Sequence, residues 1–276
     1  MSIDPAIWIW GALAIAVVTA FYHKSKATVI FVAIALISAL SQQRLSIVGF
    51  TSVLIGFAIA YQTQKQTGWL RYAGLTFVML WSLALFLHFI PGFDNLKVLD
   101  NVYASSHSTS FTMYLNLDKP LAFFGLLLAY PALLGTSKKM NTRAIIATII
   151  PLFVLLPIAA ILGALKPELS VPSWLWLFML NNLLFTCVAE EAFFRGIVQQ
   201  GVSQRFGWIF GLAVASCLFG LAHFAGGTLL VIFAGLAGIG YGLIFHLTGR
   251  LWAAVLVHFL FNLAHLLFFT YPMLER

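Results

Sequence analysis

Two adjacent carboxylates, Glu190 and Glu191, interrupt an almost wholly apolar run that begins at Trp174. Carboxylates are costly within a membrane, and those found there are usually paired or functional. Glu191 and Arg195 are four residues apart, so on a helix they can form an ion pair. Glu190 points about 100° away from Glu191 and has no cation at helical spacing. The pattern predicts that Glu191 is structural and that Glu190 is available for chemistry.

Two further apolar segments carry polar side chains at helical spacing. His223 follows Phe219 by four residues, and Asn262 follows His258 by four, which places each pair on one helical face. We interpret Phe219 as a packing residue beside the site. Asn181 and Asn182 also lie in an apolar run, but we predict no role for them.

The spacing around a polar turn at residues 205–207 relates the first two motifs. Glu190 lies sixteen residues before Phe206, and His223 lies seventeen residues after it. Positions equidistant from the turn of an antiparallel helical hairpin lie at the same depth. We therefore expect Glu190 and His223 to face each other.

These residue types suit hydrolysis by an activated water. A carboxylate and an imidazole, here Glu190 and His223, can hold and deprotonate a water molecule. A second imidazole and an amide, here His258 and Asn262, can donate hydrogen bonds to a developing oxyanion. Alternatively, Glu190, His223 and His258 can ligate a divalent metal such as zinc, although no cofactor is firmly predicted. A single intramembrane histidine is more often a helix–helix hydrogen-bonding residue, and we interpret His88, His246 and His265 in that way.

The composition identifies the class of protein that must position these residues. Of the 276 residues, 62% are hydrophobic and 8% are charged, and the mean hydropathy is +0.99. Such values are typical of a polytopic membrane protein. The net charge of +7 fits the basic loops of membrane proteins better than nucleic-acid binding, so no nucleic-acid partner is expected.

The hydrophobic pattern predicts an all-α, polytopic helical bundle with about ten transmembrane helices, eight to ten being compatible with it. An N-terminal helical region over 1–165 has no predicted role, and a catalytic core spans 172–270. The ten apolar segments are 6–22, 27–43, 45–61, 69–90, 119–134, 144–163, 172–194, 208–224, 228–247 and 251–270.

Charge asymmetry predicts the orientation of these segments. With the N-terminus outside, ten Lys and Arg residues, Arg195 among them, fall on the inner side and five on the outer side. Both termini are then outside. The polar connection from Pro91 to Asp118 becomes an outer loop, for which we favour a solvated connector over a lid. Cys187 and Cys217 are expected to be buried free thiols.

The three motifs in this order resemble those of the CPBP family, which includes CAAX prenyl endopeptidases and bacteriocin-processing or self-immunity proteins. They are Glu190-Glu191-x3-Arg195, Phe219-x3-His223 and His258-x3-Asn262. The resemblance covers about 174–268 and implies an α-helical intramembrane protease. It implies that Glu190 and His223 activate water and that His258 and Asn262 stabilise the oxyanion. It further implies that Glu191 and Arg195 hold the helix in place, and it leaves a glutamic or a metal-dependent mechanism open.

The sequence therefore predicts an intramembrane endopeptidase that acts on membrane-embedded or lipidated peptides within the lipid bilayer. Its expected place is a bacterial inner membrane, with the active site toward the cytoplasm. One alternative is a non-catalytic scaffold or bacteriocin self-immunity protein. A third is a proton-coupled transporter that uses Glu190 and His223 as a relay.

Overall fold

The computed structural model describes residues 4–275, and most of them are helical. All ten predicted apolar segments contain a helix. This is expected because an apolar segment in lipid must satisfy its backbone hydrogen bonds internally. The helices are α1 Trp8–Phe21, α2 Ser25–Ser41, α3 Ile47–Thr63, α4 Gly68–Phe86, α5 Asp118–Ala129, α6 Thr142–Ile161, α7 Leu175–Phe206, α8 Trp208–Leu221, α9 Thr228–Thr248 and α10 Leu251–Phe268.

Among the described residues, five of these helices are long and apolar enough to cross a membrane. They are α4, α6, α7, α9 and α10, and α1, α2, α3 and α8 are shorter apolar helices. The helical membrane architecture is thus supported. The predicted number of about ten spans stays a prediction.

Helix α7 carries the two adjacent glutamates and has an unusual backbone. It runs through two π-helical segments, Asn182–Cys187 and Ala192–Gln199, on either side of the α-helical turn Val188–Glu191. π-Helical turns are rare and are frequent at functional sites. They also change which side chains share a face, so the regular helix assumed from the sequence holds only in part.

The connection from Pro91 to Asp118 differs from the predicted simple connector. It contains two strands, β1 Leu96–Val102 and β2 Phe111–Leu115, which pair in a two-stranded sheet. The fold is therefore not strictly all-α. Leu96 and Leu99 of β1 are buried, as are Met113 and Leu115 of β2, so apolar side chains among the polar ones anchor the hairpin.

Between the two strands, a polar turn binds the loop that precedes α7. Ser105 and Ser106 donate hydrogen bonds to the carboxylate of Glu168, at 3.0 and 2.7 Å, and His107 lies 3.3 Å from it. The hydrogen bond from Ser106, followed by smaller effects of His107 and Ser105, lowers the pKa of Glu168 to about 2. His107 is thus half exposed and in contact with the Glu168 carboxylate.

The chain divides into two compact units. The first comprises the residues up to Val98, Met113–Pro131 and Leu184–Ala189; the second comprises Leu99–Thr112, Ala132–Leu183 and the chain from Glu190 onward. The predicted regions 1–165 and 172–270 stay predictions.

In the first unit, the core is built around Trp81, which packs with Leu85 and Ala122. Asp118, at the start of α5, is 1% exposed, although the sequence suggested a loop acid. Its Oδ2 lies 2.5 Å from Nδ1 of His88, which follows the end of α4 and is half exposed. His88 thus joins the end of α4 to the start of α5, as predicted for a helix–helix hydrogen-bonding residue, and its depth in a membrane stays a prediction.

In the second unit, Leu156 and Ala159 of α6 pack with Phe261 and Ala264 of α10. Cys217, on α8, is exposed, whereas Cys187 is buried as predicted. The expectation that both thiols are buried was wrong for Cys217, because an apolar helix in a membrane presents apolar side chains to lipid as well as to the core.

Candidate active site

The buried centre of the second unit is an ion pair within α7. Nη1 of Arg195 donates to Oε1 of Glu191 at 3.0 Å, and both side chains are 0% exposed. The ion pair predicted from the four-residue spacing is therefore present. Arg195 had been counted among inner-loop cations, and that assignment was wrong because its charge is compensated inside the protein.

Arg195 also connects α7 to α9. Its Nη2 donates to the backbone oxygen of Gly238 at 2.8 Å. One turn further along both helices, Nε2 of Gln199 donates to the backbone oxygen of Gly242 at 2.9 Å. A Cβ on Gly238 would lie 3.3 Å from Nη2 of Arg195, so glycine lets the guanidinium reach the α9 backbone. Small residues that allow such close approach are typical of membrane helix interfaces.

His258, on α10, lies between the two glutamates. Its Nδ1 is 2.8 Å from Oε1 of Glu191, and its Nε2 is 4.0 Å from Oε2 of Glu190. An ionised carboxylate accepts hydrogen bonds, so Glu191 fixes the Nδ1–H tautomer and the ring orientation of His258. Glu190 differs from Glu191 in that its side chain is 28% exposed. One carboxylate therefore orients the histidine, and the other faces its second nitrogen.

Aromatic rings enclose this histidine and the arginine. Tyr241 of α9 stacks on His258 with a centroid distance of 4.4 Å and an interplanar angle of 14°. Phe219 of α8 meets His258 edge-on at 5.5 Å, and the Arg195 guanidinium carbon lies 4.6 Å from the centre of the Phe219 ring. These contacts restrict both side chains to one orientation and add cation–π attraction to Arg195.

His223 lies just beyond the end of α8 and is partly exposed. Its Nδ1 donates to the backbone oxygen of Phe219 at 2.8 Å, because a carbonyl can only accept, and its ring lies 4.8 Å from that of Phe219. When the ring is neutral, Nε2 carries the lone pair. Among the described residues, no hydrogen bond or ion pair joins His223 to Glu190, so their predicted direct facing stays a prediction.

Asn262 lies one helical turn after His258 and is oriented by α7. Its Nδ2 donates to Oδ1 of Asn182 at 3.2 Å. Asn182 lies in the first π-helical segment and was given no role from the sequence. The pair fixes the position of the Asn262 amide beside the His258 face of α10.

The residues proposed as metal ligands do not fit a metal centre in this arrangement. Within residues 4–275, no group of three or more His, Cys, Asp or Glu side chains is positioned to hold a metal ion. His223 contributes to no such group, and the contact of Nδ1 of His258 with Glu191 leaves Nε2 as the one nitrogen of that ring that could bind a metal. We therefore assign no step to zinc.

Residues 172–264 match the family model described as type II CAAX prenyl endopeptidase Rce1-like. This segment is similar to an Rce1-like domain. All seven motif residues lie within it, from Glu190 to Asn262, and the match confirms the resemblance to the CPBP and CAAX protease family. No curated protein and no solved structure matches the chain.

The match to the Rce1-like model supports a protease of the CAAX type, and the apolar helices support an integral membrane protein. It ends before the last turn of α10 and covers about a third of the chain.

Sequence reasoning missed three residues that contact the predicted site. Gly238 and Tyr241 lie in the glycine-rich part of α9. Gly238 and Gly242 are one helical turn apart there, and this spacing is typical of closely packed membrane helices. Asn182 is one of two consecutive asparagines in an apolar helix, and intramembrane amides usually find a partner. The glycine spacing and the buried amide are therefore visible in the sequence, but neither shows which residue is contacted.

Proposed function

We propose that the chain is an intramembrane endopeptidase that hydrolyses peptide bonds through a glutamate-activated water. The observation that carries this proposal is the placement of His258 between a buried and a partly exposed glutamate. Nδ1 of His258 is held by Glu191, while Nε2 faces the Glu190 carboxylate. A general base next to an oriented donor is the arrangement that water-mediated acyl hydrolysis requires.

In this proposal, Glu190 removes a proton from a water molecule as its oxygen attacks the scissile carbonyl carbon. His223 helps to hold that water through Nε2, whose lone pair is left by the Nδ1 hydrogen bond to Phe219. His223 and Glu190 need not touch for this role, because one water can lie between them.

The attack converts the carbonyl oxygen into an oxyanion. The amide of Asn262 donates a hydrogen bond to it, and His258 does so through Nε2 when both of its ring nitrogens carry protons. The C–N bond then breaks, and Glu190 returns its proton to the leaving nitrogen, so the proton count closes without another reactant. Glu191 and Arg195 hold His258 and α7 in place.

The family description names a prenyl endopeptidase, so we propose membrane-embedded or lipidated peptides as substrates. We also propose that all ten helices lie in or across a bacterial inner membrane, with both termini outside. The basic ends of α6, α8 and α10 then face the cytoplasm, in agreement with the positive-inside rule. The active site opens toward that side in this arrangement.

The experiment compares wild type with Glu190→Gln, both purified in detergent, on a library of membrane peptides read by mass spectrometry. Replacement of a general base typically costs 10²–10⁴-fold in rate. We expect a loss of this size, unchanged wild-type cleavage in the presence of a chelator, and one ¹⁸O atom from labelled water in the new carboxylate. Full activity of Glu190→Gln would reject Glu190 as the base.

Two other results would reject the proposal. Chelator-sensitive cleavage with about one bound metal per chain would show a metal-dependent reaction. Absence of cleavage by a folded wild-type protein would favour the scaffold or self-immunity alternative.

A further inference from the structure

Five cations gather at one end of the second unit, in segments that contain no acidic residue. They are Lys138, Lys139, Arg143, Arg205 and Arg250, and we name them the basic rim. Residues 132–143, 200–210 and 246–252 include neither Asp nor Glu. The positive charge of the rim is therefore not neutralised by neighbouring side chains.

The segment before α6 brings the rim together. Lys138 donates from its backbone nitrogen to the oxygen of Thr248 and from Nζ to the oxygen of His246, both at 2.9 Å. Arg250 donates to Oγ of Ser137 from Nε at 3.0 Å and from Nη2 at 2.6 Å. The turn between α9 and α10 is thus bound to residues 137–138.

The same segment is also bound to α7. Nε2 of Gln200 donates to the backbone oxygens of Ala132 and Leu133, at 3.2 and 3.3 Å. Trp208, at the start of α8, stacks on His246 at the end of α9, with a centroid distance of 4.5 Å. The rim is therefore a fixed part of the fold, to which five helix ends contribute.

The cations of the rim divide into two groups. Lys138 and Arg250 bind protein oxygens, as described above. Lys139, Arg143 and Arg205 have exposed side chains. These three are directed away from the protein interior and are available to an external anion.

Large apolar side chains surround the rim and fix its depth. Phe206, Trp208, Phe210 and Trp252 are 45–67% exposed. Tryptophan and other aromatic residues concentrate at the level of lipid headgroups, where their rings contact both acyl chains and water. We therefore expect the exposed cations to lie at headgroup level rather than in open solvent.

We propose that the basic rim binds the headgroup phosphates of anionic phospholipids. This inference rests on the unneutralised cations of the rim and on the exposed aromatic residues beside them. A free inorganic anion would use the cations but not the aromatic residues. An anionic lipid uses both, since its phosphate contacts Lys139, Arg143 and Arg205 while its chains contact the apolar side chains.

The test measures the Kd of the purified full chain for phosphatidylglycerol and for phosphatidylcholine by native mass spectrometry. The variant Lys139→Gln/Arg143→Gln/Arg205→Gln removes the three exposed cations. Each cation near an anionic surface contributes roughly a fivefold gain in affinity, so we expect a loss of about a hundredfold for phosphatidylglycerol. Binding of phosphatidylcholine should not change.

Two control variants separate the rim from general charge and from misfolding. Lys24→Gln/Lys26→Gln/Lys65→Gln removes the same charge from the first unit and should keep the wild-type affinity. Lys139→Arg/Arg143→Lys/Arg205→Lys keeps the charge of the rim and should also keep the wild-type affinity. Equal losses in both glutamine variants, or a loss in the charge-preserving variant, would overturn the proposal.

Competition identifies the source of the anion. Inorganic phosphate or an acidic peptide that displaces phosphatidylglycerol at concentrations near the lipid Kd would show a soluble anion site and overturn the lipid assignment. Failure of both to compete, together with the hundredfold loss in the rim variant, supports it.

Discussion

Glu191→Gln removes one charge of the buried pair and leaves Arg195 without its carboxylate. The two charges are 3.0 Å apart. At an effective dielectric constant of about 20, this distance corresponds to an attraction of about 5 kcal/mol. Removing one partner of a buried pair typically destabilises a protein by about 3–5 kcal/mol.

The structure places the expected value near the lower end of that range. After the substitution, Arg195 keeps its hydrogen bond to Gly238 and its contact with the face of Phe219. We therefore expect a destabilisation of about 3 kcal/mol, which is a fall of roughly 10 °C in Tm for a chain of this size. Tryptophan fluorescence during heating, in one detergent for all variants, measures it.

A double variant supplies the control. Glu191→Gln/Arg195→Met removes both charges, and apolar replacement of a buried pair is often neutral for stability. We expect it to recover most of the lost stability while proteolysis remains low, because His258 still lacks its carboxylate partner. A single variant as stable as wild type, or a double variant less stable than the single one, would refute the reasoning.

Gly238→Ala places a Cβ 3.3 Å from Arg195 and should destabilise by about 1–3 kcal/mol in thermal unfolding, whereas Gly235→Ala, whose nearest neighbour would be 3.7 Å away, should change little. Equal effects would contradict the close-packing argument. Glu168→Gln should flatten the acid limb of the stability curve. Because its pKa is lowered, Glu168 stabilises the fold at pH values above 4.5, its pKa in the unfolded chain. This stabilisation is lost as the pH falls toward about 2. Identical Tm–pH profiles of the wild type and the variant from pH 5 to 2 would refute this expectation. Asp118→Asn should cost about 2 kcal/mol, because a buried carboxylate loses its charge-assisted contact with His88; chemical unfolding measures it, and an unchanged midpoint would show that the contact contributes nothing.

The sequence was sufficient to predict where helices form, because a long apolar run in lipid has no other way to satisfy its backbone. It also predicted the Glu191–Arg195 pair, since a four-residue spacing fixes proximity within one helix. Contacts between helices were harder to predict from the sequence. Predicting that Glu190 faces His223 required a regular helix, and α7 contains π-helical segments on both sides of Glu190.

Other features could not be obtained from hydropathy. The exposure of Cys217 was missed, because core-facing and lipid-facing positions are both apolar and no amphipathic period separates them. The β-hairpin was missed because its strands are short and interrupted by polar residues. The burial of Asp118 was missed because its partner, His88, is thirty residues away.

The two adjacent glutamates show why identical side chains can do different work. Glu191 is directed into the protein, where Arg195 and His258 both bind its Oε1. These two contacts hold its charge in place, so it is committed to structure. Glu190, about 100° around the helix, reaches the same histidine only at 4.0 Å and remains partly exposed. At this distance the Glu190 carboxylate lies near the oriented imidazole of His258 without a hydrogen bond to it, so it can still accept a proton. Closing that gap with a second tight ion pair would stabilise α7 and remove the base, so the incomplete pairing of Glu190 is what the proposed chemistry requires.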